Sequence, residues 1–419
     1  MQDTGYRIKN NHASCIMHRV SCIGSRASCI INHAGFTLVE LLITMVVFVF
    51  FIAAASQVFT GLLTQFKQQS KIAETNIEGI VGLDILRQDI EHAGYGLPWN
   101  LNGASYSEAG VEPTTPWVDR DFNDGPPNNP ARGTDPGDPA SNPPGAIRSG
   151  DSYSLNGSDV LVIKALNVAT NFAAGKWQPI RAGNNSTMKT WWSQVNEYVC
   201  RNDRGDHYPN VRVIVISPGA TATNSRSLVV SGGNFFTNAD NYAVLTNFAA
   251  PAGDPEVRIM YGVDPDTDLR MPFNRADYYI RRPTTNMPQM CAPNTGILYK
   301  ATVNHSNGLL RELPLLDCAA DMQVVFRLDT DGDGTIDTST NNIFPFTAQQ
   351  IRQQVKEARV YILTHEGQKD VNYTYPNSTV TVGEFGLGHT FNLATVIGTN
   401  WQNYRWKVYT IVVKLINLG

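Results

Sequence analysis

The densest chemistry in this chain lies at residues 329–337, Asp-Thr-Asp-Gly-Asp-Gly-Thr-Ile-Asp. Asp329, Asp331 and Asp333 stand at positions 1, 3 and 5 of a calcium loop, with Gly334 at 6, the Thr335 carbonyl at 7 and Asp337 at 9. Alternating carboxylates converge on one hard cation because the residues between them turn the chain, and glycine permits the sharp bend. Position 12 is Thr340 rather than a bidentate glutamate, and no helix pair flanks the segment, so this is not an EF-hand unit. An Asp/Gly-rich turn between two strands uses the same residues; the expectation is nevertheless a bound Ca2+. Asp264-Pro-Asp-Thr-Asp is a weaker echo without the glycine.

A second unusual group is Glu40. From Phe36 to Ala55 only Thr37, Glu40 and Thr44 are polar, and a carboxylate in an apolar segment of membrane length is costly unless it finds a partner. Elsewhere reactive groups are sparse. There is no Walker A loop, no Gly-x-Ser-x-Gly elbow and no His-Glu-x-x-His pair. The eight histidines are scattered; His207 beside Asp206 reads as a surface turn, and Trp191-Trp192 as core or rim aromatics rather than a sugar platform. No enzymatic activity is expected.

Residues 1–35 are polar and basic, a pattern that keeps the end before a first apolar segment in the cytoplasm. They include Cys15, Cys22 and Cys29 at heptad spacing, read as a repeat in a dispensable leader. Without these residues the chain carries 29 basic and 36 acidic residues, net −7, and has no basic cluster, which disfavours direct nucleic-acid binding. Cys200, Cys291 and Cys318 remain, outside the cytoplasm, where disulfides persist. Three pairings are open. Cys291 with Cys318 is preferred because both lie among closely spaced strands, with Cys200 then outside the bridge; the alternative is that all three are buried apolar thiols.

The elements that must position these groups follow from periodicity. Neither Gly nor Pro interrupts residues 36–57, and an apolar stripe continues through Phe66 to Ile77, Val81, Ile85 and Ile90. One helix over 36–93 would be about 87 Å long. Gly94-Tyr-Gly-Leu-Pro98 ends it. Residues 95–150 are rich in Pro, Gly, Asn and Asp and read as a long exposed loop, a solvated connection rather than an adhesive surface. Residues 151–419 read as a β-rich domain, possibly of two subdomains. Its strands include Val160–Ala165, Val211–Ile216, Val257–Tyr261, Asp277–Arg282, Gly296–Ala301, Met322–Leu328, Arg359–Leu363 and Lys407–Leu415. Thr347 and Gln350 form a capping box for a helix carrying Ile351, Val355 and Ala358.

Gly35-Phe36-Thr-Leu-Val-Glu40, followed by the apolar run, resembles the class III signal of type IV prepilins. The resemblance implies cleavage by the prepilin peptidase between Gly35 and Phe36, N-methylation of Phe36, and a leader of residues 1–35. A start at Met17 would leave a 19-residue leader. Glu40, fifth in the mature chain, would pair with the free amine of a neighbouring subunit's Phe36. Major pilins commonly carry a proline near mature position 22, where this chain has Gln57, which suits an accessory role. Residues 84–95, 278–281, 297–300, 322–334 and 408–417 are similar to PilW-type minor pilins. The interval 165–275 matches nothing of that kind.

What the resemblance implies is an α+β pilin-like fold, one long N-terminal helix attached to a mostly antiparallel β-sheet body. The implied role is a minor pilin that helps initiate type IV pilus assembly, sits at or near the tip and supports adhesion and twitching motility. Its partners would be other minor and major pilins, an inner-membrane assembly platform and a tip adhesin. It would start as a single-pass inner-membrane protein with a periplasmic body and end in a surface pilus. The nearest rival is a type II secretion pseudopilin at the pseudopilus tip. A third reading is a binding or enzymatic module on a pilin stalk.

Overall fold

Helix α1 spans Leu38–Glu91, 54 residues without a proline. It is the first element of a computed structural model that describes residues 37–110, 122–124, 143–182, 188–190, 199–201, 204, 206, 208–219, 226–239 and 247–418. The chain divides into two units, residues 1–63 and 64–419. The described part of the first is the apolar start of α1, every residue of which is exposed.

In the second unit an eight-stranded antiparallel sheet forms the frame. It comprises β1 (Ile147–Gly150), β2 (Val160–Ala165), β9 (Asn274–Arg281), β10 (Gly296–Val303), β11 (Leu310–Leu328), β13 (Val355–Glu366) and β16 (Arg405–Lys414) in that order, with β12 (Thr338–Thr340) paired to β11. A second antiparallel sheet holds β3 (Trp177–Ala182), β4 (Met188–Thr190), β5 (Arg212–Ser217), β6 (Ser227–Leu228), β7 (Thr237–Asn238) and β8 (Arg258–Asp264).

Strands β2 and β9 pair directly, from Leu161 opposite Tyr278 to Ala165 opposite Asn274. The whole second sheet is therefore an insertion between two neighbouring strands of the first. This is what occupies the unmatched interval 165–275. One face of the insertion, through Ile214, Ile216, Leu228 and Val263, joins the main core; Val213, Val215 and Met260 build a second core with Ile180, Val199 and Cys200. Alternating side chains of single strands thus serve two cores, as a pleat requires.

Two sequence expectations need correction. The helix capped by Thr347 and Gln350 is real, but α2 covers only Ala348–Gln354 and Val355 already begins β13. Pairing and packing of residues 355–363 between β11 and β16 override their helical spacing. The described residues of the stretch 95–150 are not a free loop either. Leu101, Tyr106, Glu108, Ala109 and Phe122 are buried, and residues 147–150 form β1.

A hairpin of β14 (Thr379–Val382) and β15 (His389–Asn392), followed by α3 (Leu393–Val396), covers the opposite face of β13. There Val382, Phe391 and Leu393 pack with Tyr361, Leu363, Tyr404 and Trp406.

Candidate assembly helix, its anchorage and the aspartate loop

The start of α1 is a capping box. Thr37 N–H and Oγ1 donate to Glu40 Oε2 at 3.3 and 3.2 Å, and Glu40 N–H donates to Thr37 Oγ1 at 3.2 Å. In the single chain the Glu40 carboxylate therefore closes its own helix end, where the helix dipole favours negative charge. Gly35 and Phe36 lie outside the described residues. From Leu38 to Ala73 the helix is long and apolar enough to cross a membrane, and none of its most apolar stretch is buried.

The later part of α1 is anchored to the sheet by shape and by charge. Leu83, Leu86 and Ile90 enter the main core, each contributing roughly 1.5–3 kcal/mol of burial. Gly82 allows the approach: a Cβ there would collide with the Leu315 carbonyl of β11. On the same face Asp89 accepts hydrogen bonds from Tyr278 Oη and Lys300 Nζ, both at 2.5 Å, reaching across β9 and β10. Burial raises the Asp89 carboxyl above the usual range, against the lowering effect of Lys300. Sequence reasoning missed this latch. Its signal was an aspartate three residues from Leu86, on the apolar face of an amphipathic helix.

A larger charged node was also missed. Glu108 accepts from Lys164 Nζ (2.8 Å), Arg275 Nη1 (3.0 Å) and the Asp124 N–H (2.7 Å). Asp124 accepts from Lys164 Nζ (2.6 Å), Arg148 Nη2 (2.9 Å) and the Gly145 N–H (2.8 Å). Arg275 also forks onto both oxygens of Asp277 at 2.8 Å. Three cations face three anions, nearly all sealed from solvent, and they tie residues 108, 122–124 and 145–148 to β2 and β9. The signal was Lys164 within an otherwise apolar strand, and Arg275 and Asp277 at the start of another.

Two buried histidines make stability pH-dependent. His305 accepts the Arg270 N–H at Nδ1 and contacts Asn274 Oδ1 through Nε2; His365 accepts the Ala292 N–H at Nε2. Burial, the leading cause, lowers them to about 4 and about 3 from 6.5. The unfolded chain then binds more protons below pH 6.5, so their contribution is complete above that value and is lost on acidification. Replacing His365 with Gln should remove a slope of up to about 1.4 kcal/mol per pH unit. Urea titrations at several pH values between 6.5 and 4.5 should show the gap between wild type and variant narrowing toward acid. Asp159 has the opposite sign: burial raises it to about 8, so its contribution falls as pH rises through neutrality.

In the 329–337 loop the carboxylates of Asp329, Asp331 and Asp333 come within 4.8 Å of one another. Asp329, buried, accepts the Gly332 and Gly334 N–H groups at 2.7 and 3.1 Å, and both glycines have positive φ. Thr335 donates its N–H and hydroxyl to Asp333, and Asp337 accepts from the Thr330 N–H and hydroxyl. These bonds hold the carboxyls of Asp333 and Asp337 below the usual range. The structure thus brings three of the four expected carboxylates together and turns Asp337 to Thr330. The echo at 264–268 is an Asx turn whose last acid, Asp268, pairs with Arg212 at 2.6 Å.

Cys291 and Cys318 are joined, with Cα atoms 4.8 Å apart, and Cys200 is a buried thiol. Trp191, Trp192 and His207 lie outside the described residues.

Residues 31–56 match the model of the prokaryotic N-terminal methylation motif. No curated protein matches the chain. Among solved structures, a type IV-like pilin from Thermus thermophilus aligns over 35% of this chain and 80% of its own, at 15% identity and a TM-score of 0.16. A methylation motif set at the head of a membrane-length helix, ahead of a mostly antiparallel β-sheet body, makes this chain similar to type IV prepilins.

Proposed function

We propose that this protein is a minor pilin that helps initiate pilus assembly, sits at or near the tip, and supports adhesion and twitching motility. The observation that carries the reading is the size of the body. A second sheet inserted between β2 and β9 adds bulk that fits a subunit present once or a few times better than one repeated along a shaft. The prepilin peptidase would cut before Phe36, and Glu40 would exchange its own cap for the amine of a neighbour. Other pilins, an inner-membrane platform and a tip adhesin are the partners this role requires.

Mass spectrometry of sheared surface fibres tests it. A peptide beginning at methylated Phe36, far less abundant than the main subunit, is the expected result. Processed chain confined to the membrane favours a secretion pseudopilin instead, and an unprocessed chain overturns both.

We also propose Ca2+ at Asp329, Asp331 and Asp333, completed by the Thr335 carbonyl and, after rotation, Asp337. Calcium at a hundred times its dissociation constant should stabilise the full chain by about 2.7 kcal/mol. Asp331→Asn should abolish the shift in thermal midpoint; an equal shift in the variant rules the site out.

A further inference from the structure

We infer that Lys164 and Asp124 are the partners of an intramolecular amide cross-link, formed in the folded body with Glu108 as its proton carrier. The three groups meet in the charged node. Lys164 Nζ lies 2.6 Å from Asp124 Oδ2, and 3.0 and 2.8 Å from Glu108 Oε1 and Oε2. The side chains of Lys164 and Glu108 are fully buried, and that of Asp124 is 5% exposed. An amine, an acyl carbon and a carboxylate able to carry protons between them are thus held in contact, away from water. Fixing reactants in this way removes the entropic barrier of bringing them together.

The two oxygens of Asp124 are not equivalent. Arg148 donates to Oδ1 from Nε at 3.2 Å and Nη2 at 2.9 Å. Oδ2 instead takes Lys164 Nζ and, at 2.8 Å, the Gly145 N–H. Negative charge that develops on Oδ1 when nitrogen attacks Cγ meets a guanidinium already in place. Oδ2, on the amine's side, is the oxygen that leaves.

The atoms balance without a co-reactant. A first proton passes from the Nζ ammonium directly to Oδ2, leaving a neutral amine beside a carboxylic acid. Nζ then bonds to Cγ while Glu108 takes a second proton from the nitrogen. Glu108 returns that proton to Oδ2, the Cγ–Oδ2 bond breaks, and water departs. Oδ1 remains as the amide carbonyl, still within reach of Arg148, and Glu108 ends as it began. Charge stays balanced as well: Lys164 and Asp124 are neutralised together, leaving Arg148 and Arg275 with Glu108 and Asp277. A buried ion pair, costly to desolvate, gives way to a neutral amide. The product ties β2 covalently to the segment that carries residue 124.

Tryptic mass spectrometry of the full chain, purified in detergent and then fully denatured, tests the inference. An ion pair comes apart on denaturation; an amide does not. Trypsin cannot cut at an acylated lysine, so the expected product is residues 121–132, through Asp124, joined to residues 149–176, through Lys164. Its mass should be that of the two peptides less one water. Recovery of the wild-type chain only as separate peptides 121–132 and 149–164 overturns the cross-link, and this measurement stands whatever the variants do to folding. Glu108→Gln should abolish the branched peptide, as should Lys164→Arg, which keeps the cation but not the nucleophile. A branched peptide as abundant in Glu108→Gln as in wild type overturns the role of Glu108 as proton carrier.

Discussion

Glu108→Ala should destabilise the body by about 3–5 kcal/mol, the cost of stripping the partner from a buried charge. Glu108 is fully buried and is shared by Lys164 and Arg275, also fully buried. Its loss takes a partner from two cations that solvent does not reach, although Asp124 keeps its contact to Lys164 and Asp277 its two to Arg275. Urea unfolding of the full chain in detergent, followed by tryptophan fluorescence, reads the loss directly. Glu108→Gln separates charge from shape. It retains an acceptor for one donor but removes the negative charge, so it should recover only part of the loss. A loss below 1 kcal/mol for the alanine variant would mean that water or a shifted Asp124 neutralises the node. Because Asp124 and Gly145 are held by the same node, the variant should also loosen residues 108–110, 122–124 and 143–148, seen as faster amide exchange there than in β13.

How far the sequence reveals this protein depends on whether a signal is local. α1 was legible because its periodicity is carried by residues three and four apart; its cap, Thr37 with Glu40, is just as local but went unread. Frame strands β2, β9 and β10 were legible from β-branched and aromatic runs bounded by turns. The insertion was not, because what defines it is the pairing of Leu161 with Tyr278, more than a hundred residues apart, and no periodicity encodes that. The same limit hid the node. Lys164 looks like an exposed strand residue until Glu108 and Asp124 are brought over it from a segment whose composition reads as loop. The aspartate loop shows the intermediate case: spacing locates the carboxylates, but only folding decides that Asp337 turns to Thr330.

Asp89→Ala should cost a similar 3–5 kcal/mol, and its companion experiment is the more informative. The alanine leaves the Lys300 ammonium, 5% exposed, without its acid and the Tyr278 hydroxyl without an acceptor. Yet burial raises the Asp89 carboxyl more than Lys300 lowers it. Desolvation therefore outweighs attraction, and the pair adds little net stability over an apolar pair of the same size. The double variant Asp89→Leu, Lys300→Met should accordingly return to within about 1 kcal/mol of wild type, or exceed it. Strong destabilisation of the double variant would show instead that the pair is a net source of stability. If stability returns, the polar latch must be kept for geometry. Leucine against methionine can slide along a sheet, whereas one carboxylate shared by Tyr278 and Lys300 fixes the rotation and register of α1 over β9 and β10. Under the assembly role proposed above, the stable double variant should then be processed and reach the membrane normally but enter fibres less than wild type, because a helix out of register presents the wrong face to its neighbours.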